Sequence, residues 1–447
     1  MKTTPLVIAA AALLVTVASP AGATTAPARF EPPSPTGPHK IGTVALHLVD
    51  QSRTDPWVTD RKRELMISIW YPARKTAGYP LVPWMPKAAA DRYLRDMGLP
   101  PGKLVLGDTD GHQGAPADRR LGRLPVVLYS PGANASRSFG TGVAQELASR
   151  GYAVVTIDHT YDAAVVEFPG GRVVTNPKGE ITDFVKAAKV RADDTRFVLD
   201  QLPGALPAGL RGVLDLKRIA MFGHSLGGAT TSSAMYADRR IKAGLSLDGA
   251  VLGPVANAGL DRPYLVVDTP GKGGMVSNPA LRTFWKNLRG WRLHLTVRGA
   301  AHNSFGDDVR LIRKAGLPVE ELVESVGTIT EKRALAFQRA YPLAFFDRFL
   351  RGRKSPLLDG PTSRFPEVTY TKHGHPVTAP LAGCRASSPA CDPVFPRRPP
   401  LRAEATSSPI RPVLQRQVSR SDTETAIKRH PVRRHATQAA GTVPVRR

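Results

Sequence analysis

A chain of 447 residues with 42% hydrophobic content has material for one large core or two ordinary ones. Its two cysteines, Cys384 and Cys391, both fall late, so a catalytic region upstream of them cannot be built on disulfides. The net charge of +25 suits either a basic solvated surface or attraction to anionic lipid, cell-wall polymer or nucleic acid; no nucleic-acid-binding motif accompanies it, and none is expected as a partner.

The first 23 residues read as a signal peptide: Lys2, an apolar run over 6–18 too short for a comfortable span, and a small-residue cleavage pattern at Ala21-Gly22-Ala23. No later stretch is long and apolar enough to cross a bilayer, so the mature protein is expected to be secreted, without a transmembrane segment. Residues 24–40, rich in Pro, Ala and Thr, read as a linker. The catalytic domain is expected over 41–372, beginning with an antiparallel strand pair at 43–49 and 65–71. An irregular section follows to about 124, with a short helix expected over 88–97 and loop over 100–123.

From Leu124 apolar β-runs alternate with helices. Strands are expected at 126–129, 153–157, 243–247, 264–267 and 293–297, with a further one entering Gly223. Helices are expected at 141–150, 182–202 with Thr182 as N-cap, and about 330–350. This is the signature of an α/β domain with a mostly parallel sheet and helices on both faces, which places ligands at the carboxyl ends of the strands. Residues 373–447 lose apolar periodicity and turn basic and Pro/Arg-rich, so they are expected to be disordered. Such a tail fits contact with an anionic lipid or cell surface, and equally a non-native reading frame at the end of a GC-rich gene; Cys384 and Cys391 either close a small loop there or stay free.

Gly223-His224-Ser225-Leu226-Gly227 fits G-x-S-x-G between a strand and a helix, the context in which a serine is held exposed on a tight turn. A Cβ at either glycine would collide with a neighbouring element. A serine nucleophile needs a histidine to take its proton, an acid to orient that histidine and donors for the oxyanion. The chain order Ser, Asp, His selects His302, just past the last strand in Gly299-Ala300-Ala301-His302-Asn303-Ser304-Phe305. His159, ending a strand at the same edge, reads as a pocket residue. Two acids fit by position, Asp248 and Asp268, and the residues alone do not separate them. The oxyanion donors are expected to be the amides of Leu226 and Ala133, the latter in Ser130-Pro131-Gly132-Ala133-Asn134, where Pro131 has no N–H to give. No metal or organic cofactor is expected.

With these residues placed, the chain resembles the plasma-type platelet-activating factor acetylhydrolases of the α/β-hydrolase superfamily, over roughly 41–372. The resemblance rests on Trp70-Tyr71-Pro72, Trp84-Met85-Pro86-Lys87, the elbow with Gly228, Leu247-Asp248-Gly249 and the His302 loop, and extends to Phe345-Phe346-Asp347-Arg348-Phe349-Leu350 and Ser355-Pro356-Leu357-Leu358-Asp359-Gly360. It implies Asp248 as the acid, an α/β-hydrolase fold, and calcium-independent removal of short or oxidised sn-2 acyl chains from phospholipids. One departure is Pro131, where the family usually has His; the Ser-Pro-Gly form is similar to secreted bacterial lipases and polyester hydrolases. A general triacylglycerol lipase or cutinase-like polyesterase is therefore the alternative enzyme, then a peptidase. A silent surface-binding module is the alternative outside enzymes.

Overall fold

Eight strands carry the domain in this computed structural model, which describes residues 27–270, 274–275, 277–372 and 375–377. They are β1 (Ile41–Thr54), β2 (Lys62–Pro72), β3 (Leu124–Ser130), β4 (Ala153–Asp158), β5 (Leu214–His224), β6 (Ile241–Leu247), β7 (Tyr264–Asp268) and β8 (Arg292–Val297). Their spatial order is 1-2-4-3-5-6-7-8. Strands β4, β3, β5, β6, β7 and β8 run parallel, while β2 is antiparallel to both of its neighbours, β1 and β4. Short strands extend both edges: Asp108–Gln113 and Leu81–Pro83 beyond β1, Val368–Lys372 and His375–Val377 beyond β8. The expected α/β-hydrolase architecture is thus present.

The parallel strands are apolar because helices cover both faces of the sheet. Alternate residues of β5 point to opposite sides: Ala220 and Phe222 join one core, Ile219 and Met221 the other. Helices α1 (Thr141–Ser149) and α4 (Glu331–Arg351) close the first face through Val143, Leu147, Phe337 and Tyr341. Helices α2 (Phe184–Ala205) and α3 (Leu226–Ala237) close the second through Val198, Leu202, Ala234 and Met235. Each fully buried Val, Ile, Leu or Phe contributes about 1.5–3 kcal/mol relative to exposure. That makes the sheet the rigid member on which the loops at its carboxyl edge are mounted.

The structure departs from the sequence reading in three places. Residues 28–40, expected as a linker, pack onto the domain: Ala28–Phe30 pairs in parallel with Leu104–Leu106, Phe30 is fully buried, and Thr36 donates through N–H and Oγ1 to Glu146 at 2.7 and 2.8 Å. Section 100–123, expected as loop, contains Leu104–Leu106 and Asp108–Gln113; both are short, and pairing across the sequence rather than local pattern creates them. The N-cap of α2 is Asp183, whose carboxylate accepts from Lys186 N–H at 2.9 Å, rather than Thr182. The expected signal peptide, both cysteines and the basic tail lie outside the described residues, except that His375–Val377, expected to be disordered with the tail, forms a strand paired with Val368–Lys372. Among the described residues no helix is long and apolar enough to cross a membrane.

Candidate active site

Strand β5 delivers Ser225 and α3 begins at the next residue, so the serine occupies the turn between them. Its backbone has φ 55° and ψ −121°, a positive-φ geometry that costs a non-glycine residue of order 1–3 kcal/mol. The turn is held by Ser225 N–H to Leu247 O at 2.9 Å and by Gly228 N–H to Ser225 O at 2.9 Å. The flanking glycines are required by close approach. A Cβ on Gly223 would lie 2.2 Å from the Gly227 carbonyl carbon, and one on Gly227 1.9 Å from Ser130 O.

His302 follows β8 and opens a short 3-10 turn, His302–Ser304. Its Nε2 is 2.9 Å from Ser225 Oγ and its Nδ1 is 2.6 Å from Asp248 Oδ2. A carboxylate only accepts, so Nδ1 carries the proton and Nε2 is left to accept from the serine hydroxyl. The loop has several tethers. His224 donates from Nε2 to the His302 carbonyl at 2.7 Å, Ser304 Oγ donates to Val326 O at 2.8 Å, and Gln338 of α4 donates to Ser304 O at 2.8 Å.

The two candidate acids have separate environments. Asp248 immediately follows β6 with φ 48°, and its Oδ1 accepts from Thr269 N–H at 3.0 Å and Thr269 Oγ1 at 3.2 Å, leaving Oδ2 for His302. Asp268 ends β7 and faces a different histidine. Its Oδ2 accepts from His294 Nε2 at 2.8 Å and Met275 N–H at 2.7 Å, and its Oδ1 from Thr296 Oγ1 at 2.7 Å. The structure therefore brings Ser225, Asp248 and His302 together and leaves Asp268 outside that group.

Burial alone would depress the His302 pKa; the hydrogen bond and charge of Asp248 outweigh it, and the net shift is upward from 6.5. Asp248 is lowered: burial opposes its ionisation, and the His302 hydrogen bond and charge more than compensate. His224 moves the other way, lowered by burial and by His302 beside it, so it stays a neutral donor.

The loop after β3 lies against the serine: a Cβ on Gly132 would meet Ser225 Cβ at 3.4 Å. Ala133 and Leu226, the two expected amide donors, pack in one small apolar cluster with Ala187, Ala188 and Ala229. His159 is not a pocket residue. It is fully buried, with Nε2 2.9 Å from Ser130 Oγ and Nδ1 3.0 Å from Asp194 Oδ2.

Several supporting contacts could not be read from local sequence, because their partners are more than a hundred residues away or on another strand. Thr269 holds Asp248 across adjacent strand ends. Trp84 is buried and donates from Nε1 to Asp307 Oδ2 at 2.9 Å, tying the irregular section to the segment after His302. Burial raises Asp307 to about 7 against the donors Trp84 and Gly142 N–H. Among the described residues no group of His, Cys, Asp and Glu is arranged to hold a metal ion.

The sequence matches the family model described as platelet-activating factor acetylhydrolase, isoform II, over residues 25–202 and 204–354. It is 32% identical over 387 residues to a probable 1-alkyl-2-acetylglycerophosphocholine esterase of Arthroderma benhamiae, covering 78% of this chain and 95% of that one. It is 20% identical over 256 residues to the platelet-activating factor acetylhydrolase of Cavia porcellus, covering 51% and 58% respectively. Among solved structures, a ferulic acid esterase from Streptomyces cinnamoneus superposes with a TM-score of 0.68 at 38% identity, covering 76% of this chain and 98% of that one.

Proposed function

Since the chain belongs to the platelet-activating factor acetylhydrolase, isoform II family and is a carboxylic ester hydrolase, we propose that it is a secreted serine esterase that removes short sn-2 acyl groups from phospholipids through Ser225, His302 and Asp248. The observation that carries this reading is the hydrogen-bonded series Ser225 Oγ, His302 Nε2, His302 Nδ1, Asp248 Oδ2, with separations of 2.9 and 2.6 Å.

In this mechanism Ser225 Oγ attacks the ester carbonyl as its proton passes to His302 Nε2. Asp248 keeps the ring oriented and stabilises the imidazolium. The oxyanion is taken by the amides of Leu226 and Ala133, aided by the N-terminal end of α3. The tetrahedral intermediate collapses, breaking the ester C–O bond, and the alcohol leaves with the proton from His302. Water then gives up a proton to His302 and attacks the acyl-serine; the acyl C–Oγ bond breaks, the carboxylic acid leaves, and His302 returns the proton to Ser225 Oγ. The reaction as written uses no cofactor.

A second reading, hydrolysis of hydroxycinnamoyl esters, is favoured by the 38% identity to the ferulic acid esterase. The test is turnover of three substrates by the mature chain: an sn-2 acetyl phospholipid, a methyl hydroxycinnamate and a long-chain triacylglycerol, each with Ser225→Ala as control. Preference for the phospholipid, lost in Ser225→Ala, is expected. Preference for the cinnamate would move the substrate class and keep the mechanism. Preference for the long-chain lipid would make the protein a general lipase. Turnover of any of the three that survives in Ser225→Ala would overturn the mechanism.

A further inference from the structure

We propose that Arg191, in the middle of α2 and far in sequence from the elbow, is a positioning residue that aims the oxyanion loop. The inference rests on the serine-esterase reading above and adds a residue that no motif contains.

Arg191 is fully buried, as is its partner Asp162. The guanidinium pairs with Asp162 through Nε at 2.6 Å and through Nη2. Its remaining donors go to backbone: Nη1 to the carbonyl of Pro131, and Nη2 to the carbonyl of Gly132 at 3.0 Å. A buried charge is costly unless paired and hydrogen-bonded, and here every contact is made to one carboxylate or to this one loop.

The consequence follows from peptide geometry. A peptide unit is planar and trans, so its C=O and the next residue's N–H point in opposite directions. The carbonyl of Gly132 and the N–H of Ala133 are two ends of one such plane. Fixing the Gly132 carbonyl on Arg191 directs the Ala133 N–H away from Arg191. The Pro131 carbonyl fixes the preceding plane, and with it the Gly132 N–H, in the same way. Gly132 itself faces the nucleophile, 3.4 Å from Ser225 Cβ to its own Cβ position. Arg191 thus grips the loop from behind and presents its amide edge to the side where the oxyanion forms.

A second anchor sits at the start of the same loop. Ser130 Oγ bonds His159 Nε2, and His159 Nδ1 bonds Asp194, which Arg63 engages at 3.0 and 2.6 Å. Serine, histidine and aspartate here have nearly the spacing of the reacting group, but all three are buried with no access for substrate. Their role is to fix β3 where it turns into the loop. Two buried ion clusters, one at Ser130 and one at Pro131 and Gly132, explain why so many charges converge behind an apolar strand end.

The measurement is steady-state kinetics of Arg191→Met, Arg191→Lys and Asp162→Asn in the full chain on a short-chain ester. Each rate is normalised to the sites labelled by a fluorophosphonate, with thermal denaturation alongside. The expected result is a fall in kcat of about 100-fold in Arg191→Met with KM changed less than about threefold. Arg191→Lys, which keeps the charge but offers one nitrogen in place of the guanidinium fork, should fall in between. Affinity for a trifluoromethyl ketone, which binds as an oxyanion, should weaken in step with kcat/KM. A purely structural role would lower the melting temperature and the labelled fraction and leave kcat per labelled site and ketone affinity at the wild-type level. That result, or a rise in KM at constant kcat, would overturn the proposal while Ser225→Ala remained inactive. Turnover persisting in Ser225→Ala would overturn this proposal together with the reading beneath it.

Discussion

In the proposed mechanism three side chains and the atoms that fix their protons govern the chemistry at the residue scale. His302 must be neutral at Nε2 to accept from Ser225, and its pKa is raised by Asp248. A raised pKa keeps the imidazole protonated to higher pH. The acid limb of kcat/KM is therefore expected above 6.5, with activity falling as pH drops through it and level above it. Asp248→Asn removes the charge that raises the pKa, so that limb should move down while the plateau falls by about 10⁴-fold. Asp268→Asn disturbs the His294, Thr296 and Met275 contacts, none of which involves Ser225 or His302, and its kcat per labelled site is expected within about tenfold of wild type. A pH–rate series on the two variants checks both statements. Equal losses would reopen the choice of acid.

At the element scale the elbow works because a strand, a turn and a helix approach more closely than side chains allow. Gly227 touches the Ser130 carbonyl, so Gly227→Ala pushes the oxyanion loop and the helix apart. Overpacking of this kind costs about 1–3 kcal/mol. The expected outcome is a lower melting temperature together with loss of turnover, read by calorimetry and by ester hydrolysis on the same sample. The irregular section is attached at a comparable junction. Trp84→Phe keeps the ring packed against Phe30 and Phe139 but removes the donor to Asp307. Leaving a buried acceptor short of one partner costs about 1–3 kcal/mol. Because Asp307 lies five residues after His302, kcat should fall as well; chemical denaturation and kinetics of this variant separate the two effects.

Over the whole molecule, buried ion clusters tie stability to pH. Burial opposes ionisation of Asp194, but Arg63 and His159 outweigh it and the folded-state pKa lies far below the usual carboxylate value. A lowered carboxylate stabilises the fold fully above its unfolded pKa of about 4, and that stability is lost as pH falls. Asp194→Asn is expected to cost about 3–5 kcal/mol at pH 7, since it leaves Arg63 with an incomplete partner set, and less at pH 3. Denaturant titrations at the two pH values test the sign. The basic tail belongs to this scale too. Deleting residues 397–447 is expected to weaken binding to anionic vesicles at low salt without changing turnover of a soluble ester. Unchanged vesicle binding would remove the tail from the account.

The amino-acid sequence by itself determined the alternating strands and helices, the serine on its glycine-bounded turn, and the histidine past the last strand. Each of these is a local pattern: apolar period, close-packed glycines, chain order. Between Asp248 and Asp268 local pattern gave no answer, since both sit at the carboxyl end of a parallel strand at the same edge. Only the lateral positions of β6 and β7 decide which carboxylate faces His302 and which faces His294. The same holds for Arg191, His159 and the strap at 28–40. Their meaning lies in partners brought together by the sheet, and a side chain's partner across space is a property of the packed fold rather than of its neighbours in the chain.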